Sequence, residues 1–426
     1  MPVSFLQLSL CGLVIAGLTG CGGGSNNGGS NNNGGGSPTT VTYDFTSTPI
    51  SAAPVAVATK IGSAAFTQAT LTGGTLTISV PSGETNYAVA YLCPTETLAV
   101  PPANYEYVVE ASTVDGTAKT GECSGPNTAK LGLATGEVNA TAIPGAEGIW
   151  GIVGGYWDSG FGSTLTMNED APLGTYDVPV LVTTGGASFG DIAAAKILRA
   201  QTIPGVLNGG NLIDFTASDE TTQQPITFTN LPSGYIADSP SASYETAGGV
   251  SILLNLLGPA GEYTALPAGT YQSGDYYQIA AGAYTGVSTF QGVGVLKIVT
   301  SGGPQNFTLP APWTYAGPTA ASLPTFNLSY SGFSGMANIS ESAIIQWNQG
   351  TVSQNLIEMT TTANYQSGAT SITIPDLSGL TGFIAPATSG TTITWTANVF
   401  QGDPFLTTPP SGIVQSVGAG GTYTEP

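Results

Sequence analysis

Short runs of β-favouring residues, separated by clusters of Gly, Pro, Asn and Ser, recur along the chain from Val41 onward. In Thr391–Phe400 (TTITWTANVF), apolar side chains alternate with threonine and asparagine over most of the run. A period of two places successive side chains on opposite faces of an extended chain. This pattern therefore predicts a β-strand with one buried face.

Six further runs have strand length and are enriched in Val, Ile, Thr and Tyr. They are Thr75–Val80, Tyr87–Leu92, Tyr105–Ser112, Thr175–Val182, Val250–Leu257 and Gly292–Val299. One segment alone, Asp191–Ala200 (DIAAAKILRA), has a composition that favours a short helix. We therefore predict an all-β fold.

Weak internal repeats indicate how the strands are grouped. Pro172–Tyr176 (PLGTY) is echoed 95 residues later by Pro267–Tyr271 (PAGTY), a spacing close to one immunoglobulin-like β-sandwich. A second echo, Ile143–Gly145 and Ile203–Gly205, repeats after only 60 residues, so the two spacings disagree. The prediction is tandem sandwiches over residues 41–133, 134–203, 204–304 and 305–426. A β-propeller is the alternative, but no blade motif of about 40 to 50 residues recurs.

The charge composition excludes several classes of function. Only 8% of residues are charged, the formal net charge is −20, and the chain has no histidine. Without imidazole there is no histidine base and no histidine-ligated metal. Nucleic acids are excluded as partners because six cationic residues cannot neutralise a phosphate backbone.

The first 20 residues have the features of a secretory signal peptide. They carry no charge, and their apolar run, Phe5–Leu18, is shorter than the roughly 20 residues that span a bilayer. Leu18-Thr19-Gly20-Cys21 resembles the lipobox of bacterial lipoproteins. In that family the cysteine is lipidated and becomes the first residue of the mature chain, which implies lipidation of Cys21. An ordinary signal peptide with a coincidental cysteine is the alternative.

The segment that follows Cys21 suits a membrane tether. Residues 21–40 are nearly all Gly, Asn, Ser and Thr, a composition typical of a flexible linker. In lipoproteins the residue after the lipidated cysteine influences sorting, and here it is Gly22 rather than Asp. The resemblance therefore implies a lipid-anchored protein of the bacterial outer membrane or cell surface.

Cys11 belongs to the leader and Cys21 would carry the lipid, so two cysteines are left to pair, Cys93 and Cys123. An even remainder in an oxidising compartment predicts one disulfide bond, whereas two free buried thiols are the alternative. Zinc is excluded because the chain lacks CxxC spacing and histidine ligands.

Gly186–Gly190 (GASFG) matches the G-x-S-x-G nucleophile elbow, between a predicted strand and the predicted helix. A Ser-His-Asp triad cannot form without histidine, so a pair of Ser188 with Lys196 is the only remaining arrangement. In a chain with 60 glycines, about one such match arises by chance. We therefore predict no catalytic residue here, and no enzyme activity.

Carboxylates are the remaining acid–base groups. Paired carboxylates across a cleft would make a glycosidase. The candidates are Asp158, Glu169, Asp170, Asp214, Asp219 and Glu220. The densest set of oxygen ligands is Asn168, Glu169, Asp170 and Asp177, which is a candidate site for Ca²⁺. No other cofactor is expected.

The richest aromatic stretch is Gly148–Gly162 (GIWGIVGGYWDSGFG). Trp150, Tyr156 and Trp157, with Asp158 beside them, have the chemistry to stack on and hydrogen-bond a ligand. The alternative is a glycine-rich hairpin whose tryptophans fill a core. If the protein has a ligand site, this is where the sequence predicts it.

Three classes of function remain. The first is a non-enzymatic surface lipoprotein with a binding, adhesion or spacer role, whose partner is a glycan or a surface protein. The second is a lipoprotein that binds or cleaves carbohydrate. The third is a structural component of the envelope, which would expose large apolar edges for self-association.

Overall fold

The structure is a computed structural model. It describes residues 37–45, 52–95, 102–121, 123, 131–154, 156–184, 191–248, 250–255, 261–286, 290–333, 339–349, 353–366, 370–402 and 412–426.

Nearly all the regular structure is β-strand. The strands are β1 (Thr39–Asp44), β2 (Ala56–Ile61), β3 (Thr67–Ala69), β4 (Thr75–Val80), β5 (Asn86–Leu92), β6 (Ala103–Ser112), β7 (Ala118–Thr120), β8 (Leu131–Asn139), β9 (Gly148–Val153), β10 (Tyr156–Phe161), β11 (Thr164–Pro172), β12 (Gly174–Thr183), β13 (Ile192–Ile203), β14 (Gly205–Val206), β15 (Ile213–Asp214), β16 (Thr222–Phe228), β17 (Ile236–Ala237), β18 (Ser241–Glu245), β19 (Ser251–Asn255), β20 (Glu262–Ala265), β21 (Tyr276–Thr285), β22 (Phe290–Val299), β23 (Gln305–Phe307), β24 (Thr325–Asn327), β25 (Ile339–Gln349), β26 (Ser353–Thr362), β27 (Ser371–Thr373), β28 (Thr392–Gln401) and β29 (Gly412–Thr424). The short helical turns are Thr113–Asp115, Leu207–Gly210, Ala217–Asp219, Ala268–Thr270 and Ala363–Gln366.

The all-β fold class is confirmed, and all seven predicted runs contain strands. The predicted helix at Asp191–Ala200 is wrong, because this segment lies in β13 and pairs antiparallel with β12. Pairing with a neighbouring strand overrides the helix propensity of Ala, Lys and Leu. In the part of the chain that the structure describes, no helix combines the length and apolarity needed to cross a bilayer.

A 13-stranded sheet forms the largest part of the molecule. Its order is β19-β18-β21-β22-β29-β28-β25-β26-β6-β5-β2-β3, with β17 paired to β21 at the side. Neighbouring strands are antiparallel except β6 and β26, which are parallel. The sheet therefore joins strands that are far apart along the chain.

One face of this sheet carries the main core. Val108, Met359, Ala343, Ala397 and Ala419 follow one another across five neighbouring strands, and all are buried. Long connections fold over this face and add large apolar side chains to the same core. These include Trp313, Phe326, Leu328, Ile374 and Ile384.

The opposite face is covered at its β5–β6 end by a small sheet of order β4-β1-β7. Val41 and Tyr43 pack there against Tyr87 and Val89. Cys93 and Cys123 belong to this second core and form the predicted disulfide, with their Cα atoms 5.2 Å apart. Closing a loop of this length stabilises the fold by about 3 kcal/mol in the chain-entropy model.

Residues 131–215 form a sandwich of two sheets. One sheet has the order β10-β9-β12-β13, and the other has β11-β8-β14 with β15 also paired to β8. Between them lies a separate core that includes Val138, Met167, Val180, Leu207 and Phe215. We call this unit the 131–215 sandwich.

The strand pairing matches the predicted segments only in part. The boundary at residue 133 lies within β8, at the start of the 131–215 sandwich. Strands from the first, third and fourth segments share the 13-stranded sheet, so the boundary near residue 304 does not separate the sheets. β1 starts at Thr39, within the predicted linker, whereas Cys21 and the leader lie outside the described residues.

Candidate functional site

The aromatic stretch forms the hairpin of β9 and β10, with β10 at the edge of its sheet. Ser159 lies opposite Trp150, which makes Trp150 and Trp157 diagonal neighbours on one face. Their rings stack with centroids 4.9 Å apart and an angle of 20° between the planes. Trp150 is 8% exposed and belongs to the main core, while Trp157 is 54% exposed. The hairpin thus has one core tryptophan and one surface tryptophan.

Asp158 lies on the other face of the hairpin, because successive side chains alternate along β10. Its Oδ2 accepts a hydrogen bond of 2.8 Å from the backbone N–H of Asn168 on β11. Asp158 therefore satisfies a backbone N–H of β11, the edge strand of the neighbouring sheet. The residues Trp150, Tyr156, Trp157 and Asp158 therefore do not share one binding surface.

The predicted carboxylates divide into one group and several separate residues. Asp158 and Asp170 lie close to Glu169, and burial followed by these two charges raises the pKa of Glu169. Asp214 accepts a hydrogen bond of 2.6 Å from Asn139 Nδ2, and Asp219 lies 3.1 Å from Lys196 Nζ.

Glu220 forms a backbone bridge with Ala194 in the 131–215 sandwich. Lys196, the partner considered for Ser188, thus has a carboxylate partner in Asp219. Ser188 itself lies outside the described residues.

The four Ca²⁺ candidates are not assembled into one site. Asp177 is bound by Arg199, the single arginine of the chain, whose Nη1 lies 2.9 Å from Asp177 Oδ2. Asn168 instead donates its backbone N–H to Asp158. Within the described ranges, no three Asp, Glu or Cys side chains are grouped so that they can hold a metal ion.

Arg199 also connects the 131–215 sandwich to the rest of the molecule. Its Nη2 lies 2.5 Å from Asp275 Oδ2 and donates to the carbonyl oxygen of Thr270 at 2.8 Å. Asp275 is fully buried and also accepts hydrogen bonds from Tyr244 Oη and the Ala247 N–H. Both Nη atoms of Arg199 are bound by carboxylates, while its Nε is buried without a hydrogen-bond partner. Because the carboxylates are occupied by Arg199 and by other donors of the protein, the network indicates a structural role rather than a ligand site.

A depression of about 260 Å³ lies on the outer face of β8 and β11. β8 and β11 alternate strictly, so every second side chain points away from the sandwich core. Directly opposed residues share a face, which places Glu137 beside Thr166 and Thr135 beside Asn168. The residues that line the depression are Thr135, Gly136, Glu137, Thr166, Met167, Asn168, Val206, Leu207, Gly210 and Asn211.

Of the residues at this depression, only Asn168 was predicted as a site residue. The alternation in LGLATGEVN (131–139) predicts that Glu137 and Leu133 lie on one face with Thr135. It does not predict which strand lies next to β8. The wall formed by Val206 and Asn211 comes from a segment about 70 residues away, whose position only the fold reveals.

No family model matches the chain, and no curated protein matches it either.

Proposed function

We propose that this is a non-enzymatic, lipid-anchored protein of the cell surface, and that the 131–215 sandwich is its binding module. The anchor and the tether are inferred from Cys21 and the Gly/Asn/Ser segment behind it. The Cys93–Cys123 disulfide supports an oxidising compartment outside the cytoplasm.

The observation that carries the proposal is the distribution of exposed apolar side chains. Among the described residues, seven of the fourteen exposed large hydrophobic side chains lie in the 131–215 sandwich, which holds less than a quarter of those residues. They are Leu131, Leu133, Trp157, Phe161, Leu173, Val206 and Leu212. Scattered exposed apolar residues are ordinary, whereas a concentration on one unit favours an interaction surface.

Anchoring is tested by changing Cys21 to Ser. The wild-type protein should incorporate a lipid label and remain with the membrane fraction, whereas Cys21→Ser should do neither. Membrane retention of Cys21→Ser, with no lipid label on the wild type, would contradict the proposed anchor.

Binding is tested with cells that display the protein and with arrays of glycans and extracellular proteins. Two double variants alter the module, Leu133→Ser/Val206→Ser on one face and Trp157→Ala/Phe161→Ala on the other. Val114→Ala/Ile236→Ala removes exposed apolar side chains elsewhere and is the matched control. At least one module variant should lose binding that the control retains. Equal binding by all three would contradict the assignment of the module.

A further inference from the structure

We propose that the depression on the outer face of β8 and β11 binds one ring of a neutral saccharide. This inference rests on the proposed function, because it names the ligand of the binding module.

The depression exists because the strand beside β8 is interrupted. β14 pairs with residues 134 and 135 of β8, and β15 pairs with residues 138 and 139. The register therefore skips Gly136 and Glu137, where the chain between β14 and β15 turns away from the sheet. Leu207 remains buried beneath this turn, so the interruption opens on the outer side only.

The turn that forms the wall is held in a conformation that few residues adopt. Asn208, Gly209 and Gly210 have φ angles of 54°, 61° and 81°. Asn208 receives support from Gln201, whose Oε1 accepts its backbone N–H at 2.7 Å, and Asn211 Nδ2 donates to the Asn208 carbonyl at 3.0 Å. Glycine adopts a positive φ without strain and asparagine does so more readily than most residues, so this sequence suits the turn. The wall is thus formed before any ligand arrives.

The polar side chains around the depression suit hydroxyl groups. Glu137 Oε2 accepts a hydrogen bond of 2.9 Å from Thr166 Oγ1, which fixes the carboxylate and leaves its other oxygen as an acceptor. Asn168 adds an amide that both donates and accepts, and Thr135 adds a hydroxyl. A carboxylate, an amide and hydroxyls on one face can bind both the hydrogens and the oxygens of a polyol.

Apolar side chains flank these polar groups on the same face. Val206 lies opposite Thr135 and is 60% exposed, and Leu133 is exposed on β8. Val206 lines the depression and offers C–H groups to the apolar side of a sugar ring, whereas Leu133 lies beyond the lining. Ligand sites commonly combine apolar walls with a few polar groups that fix orientation.

The charged groups at the depression argue against anionic ligands and against a calcium ion. Among the described residues that line it, none is Lys or Arg, while Glu137 is an anion. Phosphates, sulfated sugars and uronic acids would meet an unpaired carboxylate there. A calcium ion takes about six to eight oxygen ligands, and a single carboxylate is a poor basis for such a site.

The size of the depression sets the expected strength of binding. Its volume of about 260 Å³ is a little below the range of roughly 300 to 1,000 Å³ that holds drug-sized ligands. One ring in a shallow site binds weakly, so saccharides should be tested up to about 10 mM.

The test uses the mature full-length protein in a detergent without a sugar headgroup. Neutral hexoses, N-acetylhexosamines and short neutral oligosaccharides are titrated by calorimetry, with uronic acids as the charged comparison. A neutral saccharide should bind, and Glu137→Ala and Asn168→Ala should each weaken it at least tenfold. Ile236→Ala, which removes an exposed side chain outside the module, should change binding by less than twofold. Unchanged melting temperatures show that the variants fold.

Two results would overturn the inference. One is a neutral saccharide whose binding Trp157→Ala removes and Asn168→Ala leaves intact. The other is no binding of any neutral saccharide, or binding of uronic acids alone. If the module variants still lose binding to an extracellular protein, the proposed function stands without this inference. If they lose no binding of any kind, both fail.

Discussion

Trp150 and Trp157 touch each other, yet the structure assigns them different roles. Trp150→Ala should lower the free energy of unfolding by about 3 to 5 kcal/mol, because it leaves a cavity in the main core. Trp157→Ala removes a half-exposed ring and one stacking contact, so it should cost only about 1 kcal/mol. One denaturation curve for each variant measures the difference. Similar large losses for both would show that Trp157 is part of the core as well.

Glu106 is a buried carboxylate whose protonation affects stability. It is 1% exposed, its Oε2 accepts the backbone N–H of Ile384 at 2.9 Å, and its Oε1 has no hydrogen-bond partner. Burial, together with the charge of Asp376, raises the pKa of Glu106 to about 7. Because the folded protein holds this proton more tightly than the unfolded chain, folding becomes less favourable as the pH rises from about 4.5 to about 7.

Glu106→Gln should remove this dependence. Relative to the variant, the wild type should lose on the order of 3 kcal/mol between pH 4.5 and pH 8, as measured by urea unfolding at each pH. Glu147→Gln, which changes an exposed carboxylate, is the control and should follow the wild type. Parallel pH curves for Glu106→Gln and the wild type would contradict the assignment.

At the scale of elements, the close contact of β9 with β11 depends on the absence of a side chain at Gly151. A Cβ placed there would lie 2.0 Å from Met167 Cε, and Met167 is fully buried between the two sheets. The contacting atoms belong to the flexible end of Met167, which can change rotamer at some cost in packing, so Gly151→Ala should destabilise the sandwich by only about 1 kcal/mol. Thermal unfolding measures this loss. Gly269→Ala is the matched control, since no atom lies within 4 Å of its Cβ position. Equal stability of the two variants would mean that the sheets are further apart.

The elements also show how much of the fold the sequence could predict. Thr75–Val80 coincides with β4, because its alternation and its flanking turn residues act locally. Asp191–Ala200 misled the prediction, since its composition favours a helix while its partner β12 makes it a strand. The depression was missed for the same reason. Glu137 acquires its surroundings from β11 and from the turn after β14, and neither neighbour is encoded near residue 137.

On the scale of the whole molecule, the Arg199 network ties the 131–215 sandwich to the segment that precedes β21. Burial would by itself raise the pKa of Asp275, but hydrogen bonds from Arg199, Tyr244 and the backbone outweigh it and lower the pKa. The pKa of Asp177 is lowered in the same way by Ala200 and Arg199 against the effect of burial. The unfolded chain therefore binds these protons more readily than the folded protein.

This network should make the protein sensitive to acid. Its stabilising contribution is present at neutral pH and is lost as the pH falls below about 4, through the lowered pKa values. Asp275→Asn should cost about 3 to 5 kcal/mol at pH 7 and should flatten the acid limb of the stability curve. Urea unfolding at pH 7 and pH 3 measures both effects. An unchanged acid limb would show that other groups control the acid response.

The position of β29 has a consequence for how the molecule is made. This strand lies between β22 and β28, so it alone joins the strands of residues 241–299 to those of residues 56–112 and 339–401. Because a chain is synthesised from its amino end, β29 is made after all the other described strands of this sheet. Until then β22 and β28 are open edges that invite aggregation, and long-range pairing of this kind is slow. The sheet therefore stays divided until β29 is made, and a product truncated before β29 keeps two unpaired edges that chaperones and proteases can recognise.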